Sequence, residues 1–169
     1  MIPNPGTPEE IILIALSDTF ENLVFEEVVL NEVESGKIPE IALDSWWSRI
    51  KLVDPPPFGY IAMMVPDGLM NRFTEAILGL MGEIPDETQK SDNLGELLNT
   101  LCGRLMAMRS SPDKTFKMGL PEIGRGMAPE MKGIYRCVDC FVGEDHVFLL
   151  APEYFWDDTL WEIDKIIWD

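Results

Sequence analysis

A chain of 169 residues, 46% of them hydrophobic, suffices for one globular domain whose core needs no disulfide or metal. Its 30 Asp and Glu against 13 Lys and Arg leave a formal net charge of -17, which repels nucleic acid and anionic membrane surfaces and argues against both as partners. There is no run of about 18 uncharged apolar residues, and Pro3, Pro5, Glu9 and Glu10 stand where a signal peptide carries basic residues, so the expectation is a cytoplasmic protein without a membrane span.

The first element expected is a helix from Glu9 to about Val29, with Ile12, Leu16, Phe20, Leu23 and Val24 at helical spacing, Thr7 as N-cap and Pro8 at the first helical position. A polar, proline-containing connection leads to two strands, Trp47 to Val53 and Gly59 to Val65, joined through the stiff Pro55-Pro56-Pro57 turn. Asp67 is expected to cap a helix that runs to about Leu80, with Leu69, Phe73, Ile77 and Leu80 as its buried stripe and Gly79 and Gly82 near its end. An acidic linker, Glu83 to Lys90, precedes a helix from about Ser91 to the Ser110-Ser111-Pro112 breaker. Three alternating segments, Thr115 to Gly119, Tyr135 to Val142 and Val147 to Leu150, read as strands, and a short acidic piece from Thr159 to Trp168 closes the chain. Helix, strand pair, helix, helix and strand trio fit an α+β architecture with helices on one face of a largely antiparallel sheet. The two halves are loosely alike, each a long helix followed by strands, although their residues match poorly.

Three cysteines make an odd count, and Cys137 and Cys140 fall in a strand-like segment, where residues three apart point to opposite faces. That undercuts a zinc or redox reading of Cys-Val-Asp-Cys, which also lacks a second cysteine pair or a histidine cluster, and leaves buried structural thiols. His146, the sole histidine, is expected at a turn or strand start.

The helix near 91–109 has two distinct faces. Leu94, Leu98, Leu101, Leu105 and Met108 advance by four, three, four and three residues and stay in one narrow stripe that faces the core. Asp92, Glu96, Asn99 and Gly103 advance in the same way on the opposite side and face outward. A plain solvated face favours good helix formers, whereas Asn and Gly cost stability relative to Ala, about 1 kcal/mol for Gly. Asn can hold a water in a chosen orientation and Glu supplies a fixed negative charge, a pairing suited to phosphoryl transfer, where positioning and charge neutralisation supply most of the acceleration. On this pair alone, a solvated helix face remains the alternative.

A longer pattern bears on that choice. Asp92-x-x-x-Glu96-x-x-Asn99 is followed, after 21 intervening residues, by Pro121. The spacing resembles the signature of the CheC, CheX and FliY family of chemotaxis phosphatases, and Leu94-Gly-Glu-Leu-Leu-Asn-Thr-Leu-Cys-Gly with Phe116-Lys-Met-Gly-Leu-Pro resembles the CheX branch. The likeness is sharp from about Asp92 to Gly126, agrees in pattern from Gly59 to Gly79, and is poor over the N-terminal 55 residues and the C-terminal tail. It implies a CheC-like fold and a single CheX-like domain over residues 1–155; the acidic tail over 156–169 is expected to be helical from the placing of its own Trp161, Ile163 and Ile167.

The resemblance further implies an enzyme that hydrolyses the aspartyl phosphate of a CheY-like response regulator. Glu96 and Asn99 would be its catalytic residues, Asn99 orienting the hydrolytic water and Glu96 pairing with the regulator's lysine. The Mg²⁺ would be held by the regulator, so that this chain carries neither metal ligands nor a cofactor. Asp92 would assist at the helix start, where the dipole favours a carboxylate; Pro121 would shape the neighbouring strand end, and Gly103 would let the partner lie close. A second copy of the motif on the first helix fails, because Ser17 and Glu21 are followed by Val24 where asparagine is required and by Trp46 where proline is required. The alternatives are a non-catalytic adaptor for the phosphorylated receiver or a flagellar-switch component, and a small-molecule enzyme that would need an apolar pocket beside Glu96. The resemblance to CheX implies a homodimer through sheet edges, with the monomer of CheC relatives as the alternative, and the tail either packs on the domain or docks another protein.

Overall fold

The structure, a computed structural model, describes residues 8–36, 38–54, 59–109 and 117–156. The elements in chain order are α1 (Pro8–Val24), β1 (Val28–Ser35), β2 (Trp46–Asp54), β3 (Gly59–Val65), α2 (Asp67–Leu78), α3 (Glu87–Arg109), β4 (Lys117–Met118), β5 (Glu122–Arg125), β6 (Tyr135–Val142) and β7 (Asp145–Pro152), followed by a 3-10 turn, Glu153–Trp156. The expected tail helix lies outside the described residues except for Trp156, which is buried in the main core beside Phe155.

All strand pairs are antiparallel, and they build one sheet in the order β1-β6-β7-β3-β2-β4, with β5 also on β2. Exchanging β1 with β5, β2 with β6 and β3 with β7 turns the order β1-β6-β7-β3-β2-β5 into its own reverse. The halves therefore interleave about a pseudo-twofold at the β3-β7 pair, with α1 and α3 as counterparts. No helix among the described residues is long and apolar enough to cross a membrane.

Strand alternation sends Ile61, Met63 and Val65 of β3 and Val147, Leu149 and Ala151 of β7 to the face that the helices cover. Ala62, Met64 and Leu150 point the other way, into a smaller cluster closed by Met131 and Tyr135. The leucine stripe of α3 is buried as its spacing requires: Leu94, Leu98, Leu101 and Leu105 are all fully enclosed in the main core. Each contributes roughly 1.5–3 kcal/mol of burial. Cys137 belongs to the smaller cluster and Cys140 to the main core, on opposite faces of the sheet as their spacing demands, and Cys102 is also buried. Desolvation pushes the thiols of Cys137 and Cys140 up to about 12 and that of Cys102 higher still, so none offers a thiolate near neutrality. We expect a chromogenic disulfide reagent to leave all three unmodified in the native protein and to titrate them once it is unfolded in denaturant.

Ile77, expected in the buried stripe of α2, is 43% exposed, and α2 ends at Leu78 rather than Leu80. Four further readings of the elements are corrected. The first helix ends at Val24 rather than near Val29, because Phe25 takes a left-handed φ of 57° and the chain turns into β1, an edge strand on β6. Val28 continues the four-residue spacing from Phe20 and Val24, but the β-branched pair Val28-Val29 favours extended backbone. The helix of the 83–90 linker is the second: α3 begins at Glu87, four residues before Ser91. A reciprocal cap starts it, with the Gln89 backbone N–H donating to the Asp86 carboxylate at 2.8 Å and the Asp86 N–H to the Gln89 side chain at 2.9 Å. Third, Asp67 does not cap α2; Pro66 holds that position without a side-chain cap, while Gly79 ends the helix in the left-handed conformation. Fourth, β5 was not foreseen. Its Gly124 lies so close under the Trp47 ring that a Cβ there would come within 2.3 Å of it.

Candidate functional site

The outward face of α3 carries the motif. Asp92, Glu96 and Asn99 are exposed, and Gly103 is half-exposed with open space where a side chain would stand. Residues three and four apart on a helix lie about 5–6 Å from one another, so the carboxylate of Glu96 and the carboxamide of Asn99 are presented side by side. Asp92 sits in the second turn of α3 rather than at its start, which corrects the dipole role expected for it, since that effect fades within the first turn.

Pro121 is brought to the same helix. A Cβ on Gly95, the residue before Glu96, would lie 3.5 Å from Pro121 Cγ and 3.2 Å from Ile123 Cδ1. Gly95 is thus the notch through which the segment leading into β5 closes on α3, directly behind Glu96. The spacing between Asn99 and Pro121 is the chain length needed to leave α3, form β4 on β2 and return to α3.

The first turns of α3 are fixed by a charged cluster that sequence reasoning missed. The Asp67 carboxylate accepts from Trp46 Nε1 at 2.8 Å and Lys90 Nζ at 3.0 Å, and Arg125 Nη2 lies 3.1 Å from it. Arg125 also pairs with Glu87, and its guanidinium stacks 4.6 Å over the Trp46 ring. Burial alone would raise the Asp67 pKa, but the hydrogen bonds from Trp46 and Lys90 and the charges of Lys90 and Arg125 outweigh it and hold the carboxyl below its ordinary value. Lys90, which looked like linker, is buried. The only available signal was the Asp86-x-x-Gln89 cap, which places Lys90 inside the helix.

Histidine chemistry at this face is ruled out by position. His146 is on β7, with Phe148 and Leu150 on the side of the sheet away from the helices, bonded to Asp139 at 2.9 Å and tilted against the Phe141 ring. On α1, the counterpart of α3, the Glu21 carboxylate accepts from the Val28 backbone N–H, and Ser17 and Val24 are half-buried. Two cavities among the described residues, of about 510 and 450 Å³, are lined by residues outside α3. Among the described residues, no group of three or more His, Cys, Asp or Glu is arranged to hold a metal ion.

Neither known protein families nor curated proteins yield a match to this chain. Solved structures do. The chemotaxis protein CheX from Vibrio vulnificus superposes with a TM-score of 0.69 at 19% identity, over 83% of this chain and 94% of that one. A CheC-like superfamily protein from Shewanella superposes at 0.65 and 19%, over 89% and 98%. The chain has the CheC-like fold. A third protein of that fold, from the CheX-CheY-BeF3-Mg²⁺ complex of Borrelia burgdorferi, superposes at 0.63 and 12%, over 83% and 93%. On the CheC-like framework of this chain, the motif residues occupy an exposed helix face backed by Pro121.

Proposed function

We propose that this protein is a phosphatase of CheX type that hydrolyses the aspartyl phosphate of a CheY-like receiver domain. The observation that carries the reading is the joint exposure of Glu96 and Asn99 on one face of α3, locked from behind by Pro121 against Gly95. The fold shared with a CheX from a complex with CheY, BeF3 and Mg²⁺ supports it. In this reading the receiver supplies the phosphorylated carboxylate, its lysine and the Mg²⁺. Asn99 donates to and accepts from the attacking water, aligning it with the phosphorus, and Glu96 pairs with the receiver's lysine. Water adds to phosphorus, the bond to the aspartate oxygen breaks, and inorganic phosphate leaves. Asp92 lies one turn before Glu96 at the rim of the docking face. A formal charge of -17 steers association toward a basic face, so binding should weaken as salt rises.

The test is the decay of a phosphorylated receiver domain with Mg²⁺ in the presence of this protein. Acceleration supports the reading. Tight binding to the phosphorylated receiver with unchanged decay moves the function to an adaptor that holds the regulator, and no binding at all overturns both.

Gly103 supplies an independent check. Alanine there meets nothing within 4 Å in the free protein, and it should stabilise α3 by about 1 kcal/mol. Gly103→Trp should leave the fold intact yet weaken receiver binding at least about tenfold, because the ring occupies the space kept for the partner. Thermal melts beside titration of a BeF3-loaded receiver read both effects.

A further inference from the structure

The sheet face turned away from the helices carries a groove that the motif helix does not use. Its two cavities share Glu40, Asp139 and Phe148 and so form one continuous trough. The trough runs from Glu34 on β1, over Cys137 on β6 and Phe148 on β7, to Met64 on β3, four strands that are neighbours in the sheet. At the usual strand spacing that is about 15 Å, the length of roughly five extended residues. Met64, Cys137 and Phe148 give the floor an apolar strip, with Asp139 beside Phe148.

Among the described residues the charged side chains that line the trough are carboxylates, two of which, Asp67 and Asp145, are already paired with Lys90, Arg125 and Arg72. Among the described residues no Lys or Arg lines either cavity, and Glu34, Glu40, Asp44 and Glu144 have no ion-pair partner. Asp139 already holds Asn31 at 2.8 Å and His146 at 2.9 Å, which fixes the wall of aromatic and imidazole rings formed with Phe148. Carboxylates that face one another across a concave surface focus a negative potential there and raise the local concentration of cations. An apolar strip among those carboxylates selects against simple ions and in favour of a side chain that is cationic at its tip and apolar along its stem.

We infer that this trough docks a basic, amphipathic peptide segment of a partner protein, about five residues long, with its Lys or Arg ends on Glu34, Glu40 and Glu144 and an apolar residue over Phe148. Over Cys137, Phe148 and Met64 the trough lies on the side of the sheet away from the helices, and one end reaches the start of α2 at Asp67 and Gly68; Glu96 and Asn99 line neither cavity, so the segment and a receiver on α3 can be held together.

The probe is a fluorescein-labelled Lys-Leu-Arg-Leu-Lys peptide titrated with the full chain and read by anisotropy. Glu40→Gln/Glu144→Gln should weaken binding about tenfold, while Glu75→Gln/Glu83→Gln, which removes the same charge from α2 and its following turn, should change it less than about twofold. Lys-Ser-Arg-Ser-Lys, equal in charge but without the apolar side chains, should bind at least about fivefold more weakly. Equal weakening in both double variants would assign the binding to the overall charge and overturn the proposal. So would absence of binding, or amide shifts confined to α3 in a spectrum of the complex. Receiver decay is scored separately, so failure here leaves the phosphatase reading untouched.

Discussion

Asn99→Ala is expected to abolish acceleration of receiver dephosphorylation, by at least about 100-fold, while the protein folds at least as well as the parent. Removing one preorganised polar group that acts on the reacting water costs on the order of 10²–10³ in rate. The folding side of this prediction has the opposite sign. Asn99 is exposed in the interior of α3, and Asn is a poorer helix former than Ala by up to about 0.7 kcal/mol, so the variant should melt slightly higher. A lower melting temperature with lost activity would point to an unrecognised structural role for the carboxamide. Glu96→Ala separates the two proposed jobs. If Glu96 pairs with the receiver's lysine, its loss should raise the receiver concentration needed for half-maximal rate, and the defect should shrink as salt rises because screening already weakens that pair in the parent. Asn99→Ala should instead lower the maximal rate with binding of the BeF3-loaded receiver retained.

How legible this site was depended on which physical signal each residue carried. The leucine stripe from Leu94 to Leu105 declared the buried face of α3 by period alone, and the outward placement of Asp92, Glu96 and Asn99 followed from it. The spacing to Pro121 was visible as well, but its cause was not: only the fold shows that the chain must pass through β4 and return to Gly95. Strands β6 and β7 stood out because both alternate with apolar residues on the buried face. β1 did not, since its outward positions carry Glu32 and Glu34 and its apolar residues extend the helical spacing of α1. β5 is four residues long, contains Gly124, and is defined by its pairing to β2 rather than by composition. The start of α3 was misplaced because Glu83 to Lys90 reads as an acidic linker, whereas the deciding contacts, Lys90 to Asp67 and Glu87 to Arg125, span 23 and 38 residues and leave no local trace. The pseudo-twofold strand order accounts for the loose likeness of the two halves, and it makes α1 the counterpart of α3, with Val24 where α3 carries Asn99.

Replacing Asp67 with alanine should cost about 3 kcal/mol, the largest stability loss expected of any polar residue near the site. Lys90 is nearly enclosed, with its side chain 8% exposed, and without the carboxylate it is left as a buried charge, a situation that typically costs 3–5 kcal/mol. For a chain of this length that corresponds to a fall of roughly 10 °C in Tm. Asp67→Asn separates charge from hydrogen bonding, because the amide oxygen still accepts from Trp46 while the attraction to Lys90 and Arg125 is lost, and it should fall between parent and alanine variant. The pH dependence has a fixed sign. The folded-state pKa of Asp67 is depressed below 3.8, so its contribution is complete above that value and is lost as pH falls through the folded pKa. Melts of parent and Asp67→Ala should therefore stay apart from neutral pH down to about 4 and converge at lower pH. A gap that persists unchanged at the lowest pH would assign the loss to packing around Trp46 instead. Because this cluster anchors the first turns of α3, the same variant links stability to the site: its receiver-phosphatase rate should drop, through unfolding, at temperatures where the parent is folded and active and Asn99→Ala is folded but inactive.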